Sequence, residues 1–444
     1  MKHIVIIGNG FAGITTARHI RQQSDHRITV ISAESAHFFS RTALMYIYMG
    51  HMTYQHTKPY EDWFWKKNRI DLVQAYVEHV DTGNKAVWLR DYAPIMYDTL
   101  VIATGSKPNK FGWPGQDLAG VQGLYSLQDL ALMEQHTANI KRAVVVGGGL
   151  IGIEMAEMLR SRHIDVTFLV RESMFWYPIL PAEEGQMIGR HLREHHVDLR
   201  MKTELREILP DEAGRVRAVR IGTGEEIDCQ FVGLTVGVSP NVDFLQSSEI
   251  ATNRGVLVNS YFETNVPDVY AIGDCAQFSQ APTEAGGAER KPIEQIWYTG
   301  RIHGETLAKT LCGERTAYEP GVFFNSAKFF DIEYQTYGQV VSPLPEGVAT
   351  FFWKHPDGVH CLRINYVADD EQVVGIHAFG IRLRHAVCDE WLRNSRSLAY
   401  VLEHLPLANF DPEFFRQHEA AIISQYNQQA TVPLRLKAKK GLFQ

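Results

Sequence analysis

Hydrophobic positions along the chain fall into short unbroken runs that end in glycine. Ile4-Val5-Ile6-Ile7 is a continuous β-branched run, the mark of a strand buried on both faces of a parallel sheet. Gly8-Asn9-Gly10-Phe11-Ala12-Gly13 follows, then an amphipathic stretch to about Arg21, then a second run, Ile28-Thr29-Val30-Ile31. The pattern predicts strand, tight turn, helix, strand. It returns in mid-chain: Ala143-Val144-Val145-Val146 leads into Gly147-Gly148-Gly149-Leu150-Ile151-Gly152, a helix through Leu159 and a strand from Val166 to Val170. Two βαβ units with glycine turns predict an α/β chain with two Rossmann-like domains.

Each glycine in the first turn has a physical task. Gly8 permits the tight turn, Gly10 lets a pyrophosphate approach the backbone, and Gly13 lets helix pack on strand. Phe11 and Ala12 open the helix, whose free N–H groups and positive dipole end favour phosphate. Glu34, about 21 residues after Gly13, is placed to accept hydrogen bonds from ribose hydroxyls. In the second turn Gly147, Gly149, Ile151 and Gly152 take the same positions. Arg171 and Glu172 both fall about 20 residues beyond it. Glu172 suits the free 2′-hydroxyl of NADH, and Arg171 suits the 2′-phosphate of NADPH; the choice stays open. Two dinucleotide sites on one chain point to a flavin, FAD, beside NADH or NADPH.

Composition narrows the class. The 444 residues are enough for about three domains, and 45% hydrophobic with 21% charged residues excludes a disordered chain. A net charge of −7 argues against a nucleic-acid binder. The longest apolar runs are too short to form an integral membrane segment, and Ile4 to Ile7 is too short for the core of a signal peptide. Five cysteines without a C-x-x-C pair predict a reduced, cytoplasmic protein with neither a disulfide framework nor a zinc site. Of the 19 histidines, His195-His196 is adjacent rather than at helical ligand spacing, so no metal is expected.

Further segments extend the pattern. Leu100-Val101-Ile102-Ala103-Thr104-Gly105-Ser106, the stretch 234–241 (LTVGVSPN, with Gly237), and the stretch 264–274 (TNVPDVYAIGD, ending Gly273-Asp274) resemble the pyridine nucleotide-disulfide oxidoreductase superfamily. These are flavoproteins with two dinucleotide-binding domains. The resemblance implies that the first two segments carry the chain between domains and that Asp274 bonds the ribityl chain of FAD. It also implies a helix after Pro292, running from Ile293-Glu294-Gln295 through Leu307 and containing Gly300 and Gly304, whose N-terminus faces the flavin pyrimidine. The implied layout is an FAD domain over 1–110 and 235–315, an inserted NAD(P)H domain over 111–234, and an α+β interface domain over 316–425. That last domain starts with a strand in Phe323-Phe324-Asn325-Ser326-Ala327-Lys328-Phe329-Phe330-Asp331-Ile332-Glu333 and has a looser landmark at Leu407-Ala408-Asn409-Phe410-Asp411-Pro412. It implies a homodimer. A polar tail over 426–444, with Arg435, Lys437, Lys439 and Lys440, reads as a solvated end.

Departures from the family decide the chemistry. No cysteine precedes Cys229, and Thr42 stands near the position of the redox cysteine in the NADH oxidase and coenzyme A disulfide reductase branches. A hydroxyl cannot cycle through thiolate and sulfenic acid, so disulfide and peroxide reduction by that route are excluded. Ser40-Arg41-Thr42-Ala43-Leu44 resembles the loop of reductases that feed ferredoxins or rubredoxins, which implies Arg41 beside the FAD phosphates. Glu154, two residues past Gly152, matches a family glutamate beside nicotinamide and flavin and is expected to orient them. Cys275 is expected to be a small buried residue near FAD, whereas Trp63 and Trp65 either pack or wall the flavin.

The resulting expectation is a reductase that passes hydride from NAD(P)H to FAD, and electrons on to an external acceptor, without a redox-active disulfide. A redox protein, a small molecule or O2 could be that acceptor. A peripheral NADH:quinone reductase and a flavin-bound, NADH-responsive sensor or scaffold are the alternatives.

Overall fold

The computed structural model describes residues 1–177, 179–284, 289–411 and 413–437. They form two compact units: one built from Met1–Arg171, Thr203–Thr283 and Glu289–Pro320, the other from Glu172–Lys202, Glu284 and the described residues from Gly321 onward.

The first unit contains both βαβ repeats. Strand β1 (His3–Ile7) is followed by helix α1 (Phe11–Gln23), β2 (Arg27–Ser32), β3 (Ile70–Gln74) and β4 (Thr99–Ile102). The second repeat runs through β5 (Val121–Gln122), helix α2 (Leu127–Thr137), β6 (Arg142–Val146), helix α3 (Leu150–Ser161), β7 (Asp165–Val170) and β8 (Phe231–Leu234). Strand β9 (Val269–Ala271) then returns to the first sheet, giving the order β9-β4-β1-β2-β3, all parallel. In the second sheet β6 lies between β7 and β8, with β5 beyond β8. Val5, Ile6, Val144 and Val145 are wholly buried, as strands covered on both faces require. In each repeat the central strand is flanked on one side by the next strand and on the other by a distant one. That reversal opens a crevice beyond the strand's carboxyl end.

Helix α4 (Trp297–Leu311) packs along α1 through small residues. A Cβ on Gly304 would come within 2.7 Å of the Ala12 carbonyl oxygen, so the helices touch backbone to backbone. The helix begins at Trp297 rather than just after Pro292. Ile296 is still extended and serves as its N-cap, so Gln295 lies on the approach to the helix.

The second unit holds a five-stranded antiparallel sheet formed by β10 (Phe324–Phe329), β11 (Ile332–Gly338), β12 (Val348–Lys354), β13 (Cys361–Val367) and β14 (Val373–Phe379), in the order β10-β11-β14-β13-β12. The expected opening strand is in fact a hairpin that reverses at Phe330-Asp331, with Phe330 in the left-handed region at φ 49°. The Ala182–Glu194 helix is tied to β13 by Arg363, whose guanidinium grips the Glu184 carboxylate at 2.6 and 2.9 Å and Glu183 at 2.8 Å. The tail is docked further than expected. Lys437 pairs with Glu403 at 2.6 Å, and Leu434 and Asn427 exchange hydrogen bonds. Pro412, Lys439 and Lys440 lie outside the described residues.

Candidate functional site

The first crevice is a cavity of about 390 Å3 at the carboxyl end of β1. Its floor is the glycine turn. Gly8 adopts φ 115°, and a Cβ there would sit 2.1 Å from the Ala103 carbonyl oxygen, so only glycine fits between the turn and β4. Gly13 lies behind the floor: its Cβ would meet the Gly8 carbonyl oxygen at 2.2 Å. Gly10 instead has open space where a Cβ would be, and it caps α1 without a side-chain hydrogen bond. The first amides of α1 therefore face the cavity without a side-chain cap, which is the donor set a phosphate needs. Phe11 and Ala12 line the same wall, and Phe11 stacks on Trp297 at 4.6 Å. Asn9 is buried and donates from Nδ2 to the Ser35 carbonyl at 2.9 Å, tying the turn to the end of β2.

Glu34 and Arg41 both line this cavity, and they meet each other. Arg41 donates two bonds to the Glu34 carboxylate, 2.8 and 2.6 Å, and one to the Tyr125 carbonyl at 2.5 Å. Its guanidinium also lies 4.4 Å from the Tyr125 ring centre. Burial works against the Arg41 charge, but the bonds to Glu34 more than offset it and raise its pKa. Glu34 also accepts from the Leu127 amide at the start of α2 (3.0 Å), so the acid end of β2 is already organised by the second repeat.

The opposite wall carries Ala103, Thr104, Gly105, Gly273, Asp274 and Gln295. Thr104 donates to the Asn241 carbonyl at 2.7 Å, joining the two crossing segments. Asp274 accepts from the Ser106 hydroxyl at 3.1 Å and, more weakly, from the Tyr125 hydroxyl at 3.5 Å; Gln295 donates to the same Ser106 oxygen at 2.9 Å. Burial raises the Asp274 carboxyl above its ordinary range, with the Ser106 bond opposing, and burial likewise raises the Tyr125 phenol. The turn before Asp274 is held from behind: Gly273 donates its amide to Nδ1 of the buried His303 at 3.1 Å. The open helix end, the close-packed glycines and the acid beneath the opposite wall fit the pyrophosphate and polyol parts of FAD.

Several of the residues singled out in the sequence lie outside this cavity. Thr42 is exposed on the Arg41–Ala43 turn, 3.2 Å from the Ser40 hydroxyl, and does not line the cavity. Gly237 shapes the return crossing at φ 88°, where its carbonyl accepts from the Asn109 amide at 3.1 Å. Trp65 is buried beside Tyr60 and Phe64 and Trp63 is exposed; neither lines the cavity. Cys275 is fully buried, with Sγ 3.4 Å from the Ile102 carbonyl oxygen.

The second turn repeats the first. Gly147 has φ 110°, with its would-be Cβ 2.5 Å from the Thr235 carbonyl oxygen; Gly152 sits against the Gly147 carbonyl oxygen at 2.4 Å, and Gly149 is open. Ile151 and Gly152 lie in the first turn of α3, whose N-cap Gly149 carries no side-chain bond. Glu154 follows on that helix, half-buried by its residue exposure. Burial first, and the neighbouring Glu157 second, lift its carboxyl to about 8. Arg171 is the last residue of one compact unit and Glu172 the first of the other.

Sequence reasoning passed over Tyr125, Ser106, Asn9, His303 and Trp297. Asn9 stood inside the glycine motif, where a buried polar side chain was the available signal. The others act through partners far along the chain, which no local pattern reveals.

Comparison with known proteins identifies the family. Residues 2–292 match the pyridine nucleotide-disulphide oxidoreductase family. The chain is 30% identical over 385 residues to a nitrite reductase [NAD(P)H] of Bacillus subtilis, covering 85% of this chain and 46%, about half, of that protein. It is 26% identical over 408 residues to an NADH-rubredoxin oxidoreductase of Clostridium acetobutylicum, covering 90% of this chain and 99% of that one. Among solved structures, an NAD-dependent persulfide reductase from A. fulgidus shares the fold with a TM-score of 0.82 at 22% identity, over 96% of this chain and 83% of the other. The chain belongs to the pyridine nucleotide-disulphide oxidoreductase family, flavoproteins that use FAD and NAD(P)H.

Proposed function

We propose that this protein is an NAD(P)H-dependent FAD oxidoreductase that hands electrons directly to a small redox protein, with no protein thiol between. The cysteines carry this reading. Cys229, Cys275, Cys361 and Cys388 are buried, Cys312 is half-buried, all five are free, and none lines the first cavity. Burial pushes the Cys229 thiol up to about 12 and raises those of Cys275 and Cys388, so these groups stay protonated and unreactive.

When bound, FAD supplies hydride acceptance and the release of electrons one at a time. The residues of this chain bind and orient. The α1 amides and Gly10 receive phosphate, Asp274 and Ser106 hold the polyol side, and Arg41 with Glu34 closes the adenosine side. The α3 turn receives the nicotinamide dinucleotide. Glu154, neutral below about pH 8, presents a carboxyl that donates as well as accepts. Orientation of two rings in contact is worth several kcal/mol of barrier.

In this reading FAD is held by 1–110 with 235–315 and the nicotinamide by 111–234, while 316–425 forms a homodimer interface in a cytoplasmic protein. Among the described residues no helix is long and apolar enough to cross a membrane. The end-to-end similarity to an NADH-rubredoxin oxidoreductase favours a protein carrier over O2 or a small organic acceptor. The test is anaerobic reduction with NADH and NADPH in turn, followed by reoxidation with rubredoxin, ferredoxin, a quinone and O2. Purification without flavin would remove the whole reading, and faster reoxidation by O2 than by either carrier would remove the acceptor.

A further inference from the structure

Away from both dinucleotide sites, the second unit brings three ligand-type side chains together without a complete set of partners. His191 lies in the last turn of the Ala182–Glu194 helix, and His195 is its C-cap. Four residues apart, they share one face, with ring centres 4.3 Å apart. Asp331, at the β10–β11 reversal, faces them both.

Proton positions make the arrangement informative. His195 Nδ1 lies 3.0 Å from the His191 main-chain carbonyl oxygen. A carbonyl only accepts, so Nδ1 carries the proton and Nε2 presents its lone pair. That Nε2 faces Asp331 Oδ1 at 3.9 Å, one acceptor toward another. His191 Nε2 faces the same oxygen. His191 is 3% exposed; its Nε2 is in direct ion-pair contact with that Asp331 oxygen, whereas its Nδ1 has no hydrogen-bond partner, the nearest acid being Glu194 at 3.7 Å. The His191–Asp331 pair and the His195 lone pair thus converge on one point, where a divalent cation can take the place of the proton shared by the pair. An imidazole whose second nitrogen donates to a main-chain carbonyl is the usual posture of a metal-bound histidine.

We propose that His191, His195 and Asp331 bind a divalent transition-metal ion, Zn2+ by ligand type, pinning the helix end to the hairpin. All three ligand atoms lie within 4.8 Å of one another. Tetrahedral Zn2+, with bonds of ~2.0–2.2 Å, needs ligand atoms ~3.4 Å apart, which a small side-chain rotation supplies. Phe330 walls the site, 4.4 Å from the His195 ring, and the exposed Asp331 leaves a path for the ion and for water in the remaining position. The expectation of no metal rested on the His195-His196 pair; the helical partner of His195 is His191.

A second cluster, His355, Asp357 and His360, provides the contrast. There the carboxylate is occupied by its own turn: it accepts from the Val359 amide at 3.0 Å and lies 2.8 and 2.7 Å from the two imidazoles. It serves as the control.

The test uses the full, FAD-loaded chain, stripped with a chelator and titrated with ZnCl2 by calorimetry, with melting followed in parallel. One Zn2+ per chain should bind and raise Tm. His195→Gln and Asp331→Asn, both at partly or largely exposed side chains, should each weaken Zn2+ by at least about tenfold and lose the Tm shift. Their flavin spectrum should remain that of the wild type. His360→Ala should bind as the wild type does. No saturable binding, weakening of less than tenfold in either ligand variant, or loss confined to His360→Ala would overturn the assignment. Flavin content and reduction by NAD(P)H are read on the same samples, so failure of the metal site is distinguishable from failure of the proposed activity.

Discussion

The two glycine turns are nearly superimposable in their constraints, yet they end in different electrostatic settings. At Gly8 and Gly147 the φ angles are 115° and 110°, and in both a Cβ would strike a main-chain carbonyl of the neighbouring strand segment. At Gly10 and Gly149 both turns are open. The acids differ. Glu34 in the first repeat is locked by Arg41, itself held by the Tyr125 carbonyl, and by the Leu127 amide. In the second repeat the carboxyl nearest the turn, Glu154, is held mostly neutral by burial. One backbone solution thus serves twice, in two different electrostatic settings.

Removing the shared element should have the largest effect. Gly8→Ala forces a Cβ into the Ala103 carbonyl at a φ that side chains avoid, and the protein should purify without flavin. Gly147→Ala should keep its flavin yet resist reduction by NADH or NADPH, as followed by bleaching of the flavin absorbance. If both variants lose flavin alike, the two turns are not separate sites.

Next comes Arg41→Met, which leaves Glu34 partly buried without its partner. Side-chain exposures of 23% and 18% place the pair between surface and core, so a loss of about 1–3 kcal/mol in FAD affinity is expected. Flavin release measured in urea would show it. Double replacement with Glu34→Gln should cost less than the single change, because no unpaired charge remains.

Glu154 sharpens the other half of the comparison. Glu154→Ala should slow hydride transfer by about 10- to 100-fold in stopped flow; an unchanged rate removes it from the mechanism. Its carboxyl is raised from 4.5 to about 8 in the folded protein, so the folded state holds this proton more tightly than the unfolded chain. That contribution is fully present below pH 4.5 and is lost as pH rises through 8. Wild type should therefore lose Tm relative to Glu154→Gln between pH 5 and pH 9, and a flat difference would contradict the shift.

The smallest effect on stability is expected at Gly10→Ala and Gly149→Ala. Nothing lies within 4 Å of either Cβ, so Tm should change by no more than about 1–2 °C. Dinucleotide binding should nonetheless weaken, because the added methyl stands where phosphate approaches.

Strands β1 and β6, helices α1 and α3 and the tight turns at Gly8 and Gly147 are readable in the sequence, because a strand covered on both faces writes a continuous apolar run and a tight turn demands glycine locally. The start of α4 was not. Residues 293–296 precede the helix, with Gln295 held by Ser106, 189 positions away. The same limit hid Tyr125, which Arg41 reaches across 84 residues. The hairpin at Phe330 was missed because its reversal uses a non-glycine residue at positive φ, where no usual turn residue marks it.

By itself, the sequence determined that two dinucleotide turns exist, that their glycines cannot be replaced freely, and that no redox thiol occupies the expected position. Those conclusions depend on neighbours in the chain, where sterics and hydrogen-bond geometry act over a few residues. Only the tertiary structure decided that Glu34 meets Arg41, that Asp274 is held through Ser106 and His303, and that Asp331 closes on His191 and His195. Such pairings join segments brought together by burial of the cores, and a carboxylate's proton and partner are set by the dielectric and charges around it, not by its position in the chain.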